Sequence, residues 1–147
     1  MDISKMKEID RFIEEKKVKR ISPDKELANS LLKNVAERER SILKLKIKDF
    51  HLLVFENMYG CLREILDAIL ALEGYKSYSH EAPIIYLKNF DFPENKIFEL
   101  NRFRKKRNNS KYYGKSPSLK DAQEIKIFYL ENKKILFGII QKIQNES

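Results

Sequence analysis

The sequence contains little of several residue types, and each scarcity excludes a class of protein. One cysteine among 147 residues excludes an intramolecular disulfide, and with only two histidines we expect no structural zinc site. Four glycines and four prolines are too few for the many tight turns of a β-sandwich or barrel. Apolar runs such as residues 68–72 are far shorter than the roughly 20 residues that span a bilayer. We therefore expect a cytoplasmic protein that works without a membrane.

Common ligand-binding motifs are also missing from the sequence. The chain has no phosphate-binding glycine loop, no dinucleotide-binding glycine motif and no His-Glu-x-x-His metal motif. The first residues alternate basic and acidic side chains, which is not the pattern of a signal peptide. We therefore expect no metal and no cofactor.

Positive charge is concentrated in one stretch of the chain. There are 30 lysines and arginines against 22 acidic residues, which gives a net charge of +8. The fourteen residues 102–115 contain seven of the basic residues and no acidic one, which leaves 23 basic against 22 acidic residues elsewhere. This pattern indicates a localised site for an anion and not a diffusely basic surface.

Helical spacing of apolar residues dominates the first half of the chain, and no segment alternates with the period of a β-strand. Residues 3–16 are predicted to form an amphipathic helix. The next helix is predicted from a cap at Ser22, with Pro23 in its first turn, to about Lys48.

The helix expected in the middle of the chain spans residues 50–73. Asp49 is its predicted cap, and Gly74 is predicted to end it. Apolar residues cover most of its circumference, which is typical of a buried central helix.

Two further helices are predicted in the second half. One begins at Pro93, and the other begins after Ser118, which forms a capping pair with Asp121. The last helix has a wide apolar band, which indicates either a dimer contact or a surface covered by the first helix. Its main stripe consists of Ile125, Phe128, Asn132, Ile135, Ile139 and Ile143. The residues beside this stripe are Tyr129, Phe137 and Ile140.

These patterns together predict an all-α fold. The length and the 42% hydrophobic content suit a single domain with one core. We expect an up-and-down bundle of four main helices with one or two short helices. Residues 1–16 would be an N-terminal accessory helix, and residues 22–144 would form the bundle.

The basic stretch divides into two groups on a helical wheel. With about 100° per residue, Arg104 and Arg107 fall at about 340° and 280°, within the arc of the apolar residues that precede them. The charges of Arg102, Lys105 and Lys106 fall outside this arc and are expected to face water. A buried charge needs a partner. For the inward arginines it would be a carboxylate such as Glu56 or Glu64, or a bound phosphate, which suits the planar guanidinium.

The residues after Arg107 are expected to fray from the helix, because asparagine and serine favour helix ends. Tyr112 and Tyr113 would then offer stacking faces near the arginines, as in RNA-binding sites, or would pack over the helix end.

The segment from Arg107 to Tyr112, Arg-Asn-Asn-Ser-Lys-Tyr, resembles the signature of HEPN domains, which is an arginine, a polar residue, a few more residues and a histidine. The apolar central helix, the stretch at residues 74–81 and the long closing helix extend the resemblance over about residues 21–144. HEPN domains are small helical bundles that usually dimerise. Many are metal-independent endoribonucleases, including toxins, and some pair with a small nucleotidyltransferase antitoxin.

The resemblance implies a role for each motif residue. Arg107 would stabilise the charge on a scissile phosphate, Asn108 would orient that site, and Arg104 would help to bind phosphate. Lys111 and Tyr113 would bind the nucleic acid or nucleotide. Tyr112 occupies the histidine position, where a phenol can donate a proton but is a poor base at neutral pH.

Two histidines could replace the missing imidazole, His51 and His80, and a structural role is favoured for both. The sequence therefore favours a HEPN-like homodimer that binds RNA or nucleotide phosphate as a non-catalytic or weakly active module paired with a nucleotidyltransferase. The alternatives are a metal-independent endoribonuclease of the toxin type and a basic helical bundle with a structural role.

Overall fold

The computed structural model describes the backbone of residues 3–146 and the side chains of residues 8–110 and 113–146. Over this range the chain is mostly helical, which confirms the predicted fold class. None of the helices in this range has the length and apolar character needed to cross a membrane. The elements are α1 (Ile3–Glu14), β1 (Val18–Arg20), α2 (Lys25–Ile42), α3 (His51–Glu73), β2 (Tyr75–Ser77), α4 (Ala82–Tyr86), a 3-10 turn (Leu87–Phe90), α5 (Glu94–Tyr113) and α6 (Leu119–Glu146).

Helix α3 lies at the centre of the fold, as its apolar circumference predicts. It packs most extensively against α2 and α6, and it also contacts α4, α5 and β2. The side chains of Phe55, Met58 and Ile65 are completely buried in the main core. Helix α1 joins the same core through Ile9 and Phe12, so it is packed onto the bundle.

The starts of α2 and α3 differ from the predicted caps. The N-cap of α2 is Asp24 and not Ser22, and its carboxylate accepts a hydrogen bond from the Leu27 N–H at 2.9 Å. The reason is that the Asp24 N–H donates to the Ala71 carbonyl at 2.8 Å, which holds the preceding residues against the end of α3. Helix α3 begins after Phe50, whose side chain has no hydrogen-bonding atom, and Asp49 lies in the turn before it.

The sequence patterns did not predict the small antiparallel sheet. Strands β1 and β2 have three residues each, and Val18 pairs with Ser77 while Arg20 pairs with Tyr75. Three residues are too short to show an alternating pattern, and the two strands are separated by α2 and α3. The sheet fixes the loop between β2 and α4, in which the Ser77 hydroxyl donates to the Ser79 carbonyl at 2.7 Å.

Helix α5 continues to Tyr113, so the prediction that it frays after Arg107 is wrong. It ends at Gly114, which has a positive φ of 70°. The predicted capping pair of α6 is confirmed, because the Asp121 N–H donates to the Ser118 hydroxyl at 3.1 Å and the Ser118 N–H donates to the Asp121 carboxylate at 2.9 Å.

The buried face of α6 differs from the predicted stripe at one position. Ile135 is exposed, and its neighbour Leu136 is completely buried. Tyr129 and Ile140, which were predicted to flank the stripe, are buried within the chain, and the Tyr129 hydroxyl donates to Glu39 of α2 at 2.6 Å. The wide band is therefore covered mainly by α3, and it gives no support to a dimer.

The glycine that ends α3 is expected to be essential for stability. Gly74 has a φ of +86°, and a Cβ there would lie 2.9 Å from the Ile21 carbonyl oxygen. Gly74→Ala should lower the free energy of unfolding by about 1–3 kcal/mol, measured by urea denaturation. The control is Gly138→Ala, because Gly138 lies on α6 with nothing within 4 Å of an added Cβ. It should be neutral or should stabilise by up to about 1 kcal/mol, and equal losses from both variants would contradict the assignment.

Candidate functional site

The central helix has one polar stripe that the sequence analysis missed. Glu56, Gly60, Arg63 and Asp67 follow one another at spacings of four, three and four residues, so they lie on one face of α3. With about 100° per residue they fall within about 60° of arc. This spacing is visible in the sequence, but it is hidden among the many apolar residues of the helix.

The stripe forms one wall of a cleft with a volume of about 230 Å³, which we call the arginine cleft. Three helices and one loop meet there, and each helix contributes one arginine. The residues that line it are Arg38 from α2, Glu56, Asn57, Tyr59, Gly60 and Arg63 from α3, His80 from the loop between β2 and α4, and Arg107 from α5.

Arg107 is held between a carboxylate and an aromatic ring. Its Nε and Nη2 atoms both lie 2.9 Å from the Oε1 atom of Glu56. Its guanidinium carbon lies 5.3 Å from the centre of the Tyr59 ring, in a cation–π arrangement. The side chain of Arg107 is 22% exposed and that of Glu56 is 52% exposed. Glu56 was one of the two carboxylates that the sequence analysis proposed as its partner.

Arg38 occupies space that exists because residue 60 is a glycine. A Cβ on Gly60 would lie 2.0 Å from the Nη1 atom of Arg38. The same Nη1 atom lies 2.7 Å from the carboxylate of Glu64. The second carboxylate considered for the inward arginines, Glu64, therefore holds Arg38 and not an arginine of α5.

Arg63 connects a carboxylate to the imidazole of His80. Its Nε atom lies 3.3 Å from the Asp67 carboxylate. Its Nη1 atom lies 2.7 Å from Nε2 of His80 and also contacts Nδ1 of the same ring. The Tyr59 hydroxyl lies 3.4 Å from Nδ1. His80, for which the sequence favoured a structural role, is thus part of the cleft.

Burial changes the ionisation of two groups beside the cleft. It raises the pKa of the Tyr59 hydroxyl, although the nearby cations Arg63, Arg107 and Arg104 favour the ionised form. Burial also raises the pKa of the Asp67 carboxyl, and Arg63 opposes this effect. Tyr59 is therefore a neutral hydroxyl at neutral pH, which acts as a hydrogen-bond donor or acceptor and not as a base.

The other predicted site residues do not all reach the cleft. Arg104 lies one turn before Arg107 and donates to the Asn101 side chain at 3.1 Å. Asn108 is partly exposed on α5 and is not among the described residues that line the cleft, and Tyr113 is 74% exposed. The side chains of Lys111 and Tyr112 lie outside the described residues, so their predicted roles stay predictions.

Two of the three basic residues that were expected to face water have partners on α6. Arg102 contacts the carboxylates of Glu99 and Glu124 at 2.8 and 2.7 Å. Lys106 lies 3.3 Å from Asp121. These pairs link α5 to α6 close to Arg107. Lys105 is exposed, as predicted.

The described side chains include no group of three or more histidine, cysteine, aspartate or glutamate residues that is arranged to hold a metal ion. The chain matches no protein-family model, no curated protein and no solved structure at a significant level. Function is therefore inferred from the chemistry of the arginine cleft itself.

The space above Gly60 leads to a prediction about Arg38. Gly60→Ala should displace the Arg38 guanidinium from Glu64 without disturbing the backbone, because the clash involves the end of a flexible side chain. The free energy of unfolding should fall by about 1–3 kcal/mol, because better helix propensity offsets only part of the cost of leaving the mostly buried Glu64 carboxylate without its partner. A crystal structure of the variant and urea denaturation test this. An unmoved Arg38, or a stability equal to or above that of the wild type, would contradict it.

Proposed function

We propose that this chain is a HEPN-like protein whose arginine cleft binds the phosphate of RNA or of a nucleotide. The observation that carries the proposal is the meeting of Arg38, Arg63 and Arg107 with His80 in one cleft of about 230 Å³. A guanidinium has five donors in a rigid fork that matches the geometry of phosphate oxygens. A volume of this size suits a single phosphate group with part of a sugar.

The carboxylate of Glu56 is the group that an incoming phosphate would replace. It is half-exposed, and it bonds Arg107 through one oxygen only, so it can turn into solvent at low cost. Phosphate would then accept hydrogen bonds from the same Nε and Nη2 atoms. The Tyr59 ring holds the guanidinium in place during this exchange.

Helix order and the position of Arg107 support the HEPN part of the proposal. Arg107, the first residue of the motif, enters the cleft from the C-terminal half of the penultimate long helix, and α6 closes the bundle. The homodimer and the nucleotidyltransferase partner rest on the resemblance alone, and they stay predictions.

Phosphate binding should depend on Arg107 and not on basic charge in general. Arg107→Ala should weaken binding of a short single-stranded RNA or of adenosine 5′-phosphate about tenfold or more, because a charge-assisted hydrogen-bond pair is lost. The matched control is Lys105→Ala, an exposed charge on the same helix, which should change the affinity by about twofold or less. Isothermal titration calorimetry at one fixed salt concentration measures both. Equal losses would indicate a diffuse electrostatic surface and would contradict the proposal.

A second function, metal-independent RNA cleavage, is favoured by the position of His80. The imidazole is the kind of base that the motif lacks at Tyr112, and it lies on the same cleft as Arg107. Once Arg63 has turned from the imidazole to the phosphate, His80 would accept the proton of a ribose 2′-hydroxyl as that oxygen attacks the adjacent phosphorus. Arg107 would stabilise the negative charge that develops on the phosphate oxygens, and the 5′-oxygen would leave with a proton from an acid or from water.

Cleavage by this route should survive EDTA and should need both cleft residues. Arg107→Ala and His80→Gln should each lower the rate on a labelled RNA by about a hundredfold or more. His51→Gln replaces the other histidine of the chain and should leave the rate unchanged. Loss of activity in EDTA, or equal effects of the two histidine variants, would refute this function.

A further inference from the structure

A second cavity adjoins the arginine cleft. The volume of the cleft, about 230 Å³, suits a phosphate with part of a sugar, so the base of a bound nucleotide is expected outside it. A cavity of about 520 Å³ lies beside it between α2 and α3, and Arg38 and Asn57 line both cavities. We call this second cavity the α2–α3 groove. Its lining residues are Asn34, Glu37, Arg38, Ser41 and Ile42 from α2 and Asn57 from α3.

The groove follows one face of α2. Its five lining residues on this helix lie three or four positions apart or next to one another, from residue 34 to residue 42, so they share one side of the helix. This face is about 12 Å long. The buried side chain of Ile42 gives the groove an apolar patch, and the other lining side chains are polar. The groove therefore suits a flat heterocycle that has polar groups along its edge.

Hydrogen-bond acceptors predominate among the polar groups of the groove. The side-chain nitrogen of Asn57 donates to a backbone carbonyl one turn earlier at 2.8 Å, which leaves its Oδ1 atom as an acceptor. The Ser41 hydroxyl donates to the Glu37 carbonyl at 3.2 Å. The side-chain amide of Asn34 hydrogen-bonds to the Glu64 carboxylate. The carboxylate of Glu37 is exposed, and an ionised carboxylate can only accept.

The two adjoining cavities ask for different chemistry at the two ends of one ligand. The arginine cleft offers cationic donors to a phosphate, and the groove offers acceptors, above all the Glu37 carboxylate, to N–H groups. Among the RNA bases, guanine presents two adjacent N–H donors, N1–H and N2–H, which match the two oxygens of a carboxylate as a guanidinium does. Uracil presents one N–H between two carbonyl oxygens, and a carboxylate repels these oxygens.

We propose that the α2–α3 groove binds a guanine base while the arginine cleft holds the phosphate of the same nucleotide. The inference rests on the proposed function and names the base that its site selects. Glu37 accepts hydrogen bonds from N1–H and N2–H and is the residue that determines specificity. Asn57 lines both cavities, so it stands at their junction, where its Oδ1 atom can accept from a ribose hydroxyl.

Nucleotides with the same phosphate separate base recognition from phosphate binding. The 5′-phosphates of guanosine, inosine, adenosine, cytidine and uridine have equal charge at about pH 7.5, so their affinities differ only through the base. In calorimetric titrations at one salt concentration, guanosine 5′-phosphate should bind about tenfold or more tightly than uridine 5′-phosphate, because it gains hydrogen bonds to a charged acceptor. Inosine 5′-phosphate lacks only the amino group of guanine and should bind with intermediate affinity.

Glu37→Gln tests the carboxylate with little change of shape. The amide presents one donor and one acceptor, so guanosine 5′-phosphate should bind about tenfold more weakly, and uridine 5′-phosphate should bind equally well or better. The matched control is Glu26→Gln, which removes an exposed carboxylate from the same helix about 16 Å away along its axis and should keep the preference for guanine. Arg107→Ala should weaken binding of every nucleotide to a similar degree, because all of them share the phosphate.

The source of the guanine is found by comparing guanosine 5′-phosphate with a short oligouridine and with the same RNA carrying one central guanosine. Tighter binding of the guanosine-containing RNA than of the nucleotide indicates a base within RNA, and weaker binding indicates the free nucleotide. Both results support guanine recognition when the plain oligouridine binds more weakly than the preferred ligand.

The outcomes separate the inference from the function beneath it. Absence of binding by all the nucleotides and by both RNAs would overturn the proposed phosphate site. Equal affinity for the five nucleotides together with equal affinity for the two RNAs would overturn the inference and leave the phosphate site standing. A preference for guanine that survives in Glu37→Gln would likewise overturn the inference, because the base would then be recognised elsewhere.

Discussion

Each charged side chain that is partly buried needs a partner of opposite charge, and this requirement determines how the site is built. Arg38, Arg63 and Arg107 come from three different helices, and each reaches the cleft only with a carboxylate beside it. A half-buried guanidinium without such a partner would be costly. The three carboxylates belong to α3, so the central helix fixes the positions of all three arginines. Of these, only Glu56 has a side chain more than half exposed, so its pair with Arg107 is the one that the proposed phosphate would replace.

The small sheet and the α5–α6 ion pairs lie outside the cleft and support the segments that carry its residues. Strand β2 lies directly after α3 and fixes the loop that carries His80, although neither strand touches the cleft through a lining side chain. Arg102 and Lys106 hold α5 against α6 through Glu124 and Asp121.

Much of the fold could be predicted from the sequence, because the residues that begin and end several helices act on their immediate neighbours in the chain. Gly74 and the pair of Ser118 and Asp121 act within one turn of the helices they terminate or begin, so their patterns are readable without tertiary structure. The buried central helix follows from composition. The sheet could not be predicted, because its pairing joins residues more than fifty positions apart and each strand has three residues. The cap at Asp24 depends on the Ala71 carbonyl, which is also a contact distant in sequence.

The site could be predicted only in part for the same reason. The inward position of Arg107 and its pairing with Glu56 follow from helical geometry and charge. The expectation that Arg102 faces water was wrong, because a wheel drawn on one helix does not show that Glu124 lies on the next one. The convergence of His80 with Arg38 and Arg63 depends on how three segments pack, and no single segment contains that information.

The arginine cleft is built from separate segments of the chain, and this links ligand binding to the stability of the folded protein. Residues 38, 63, 80 and 107 come together only in the fully assembled fold, so an unfolded chain or a fragment has no such cleft. A ligand that occupies it therefore binds the native state alone and shifts the folding equilibrium by mass action. The proposed phosphate ligand would therefore protect the chain from proteolysis.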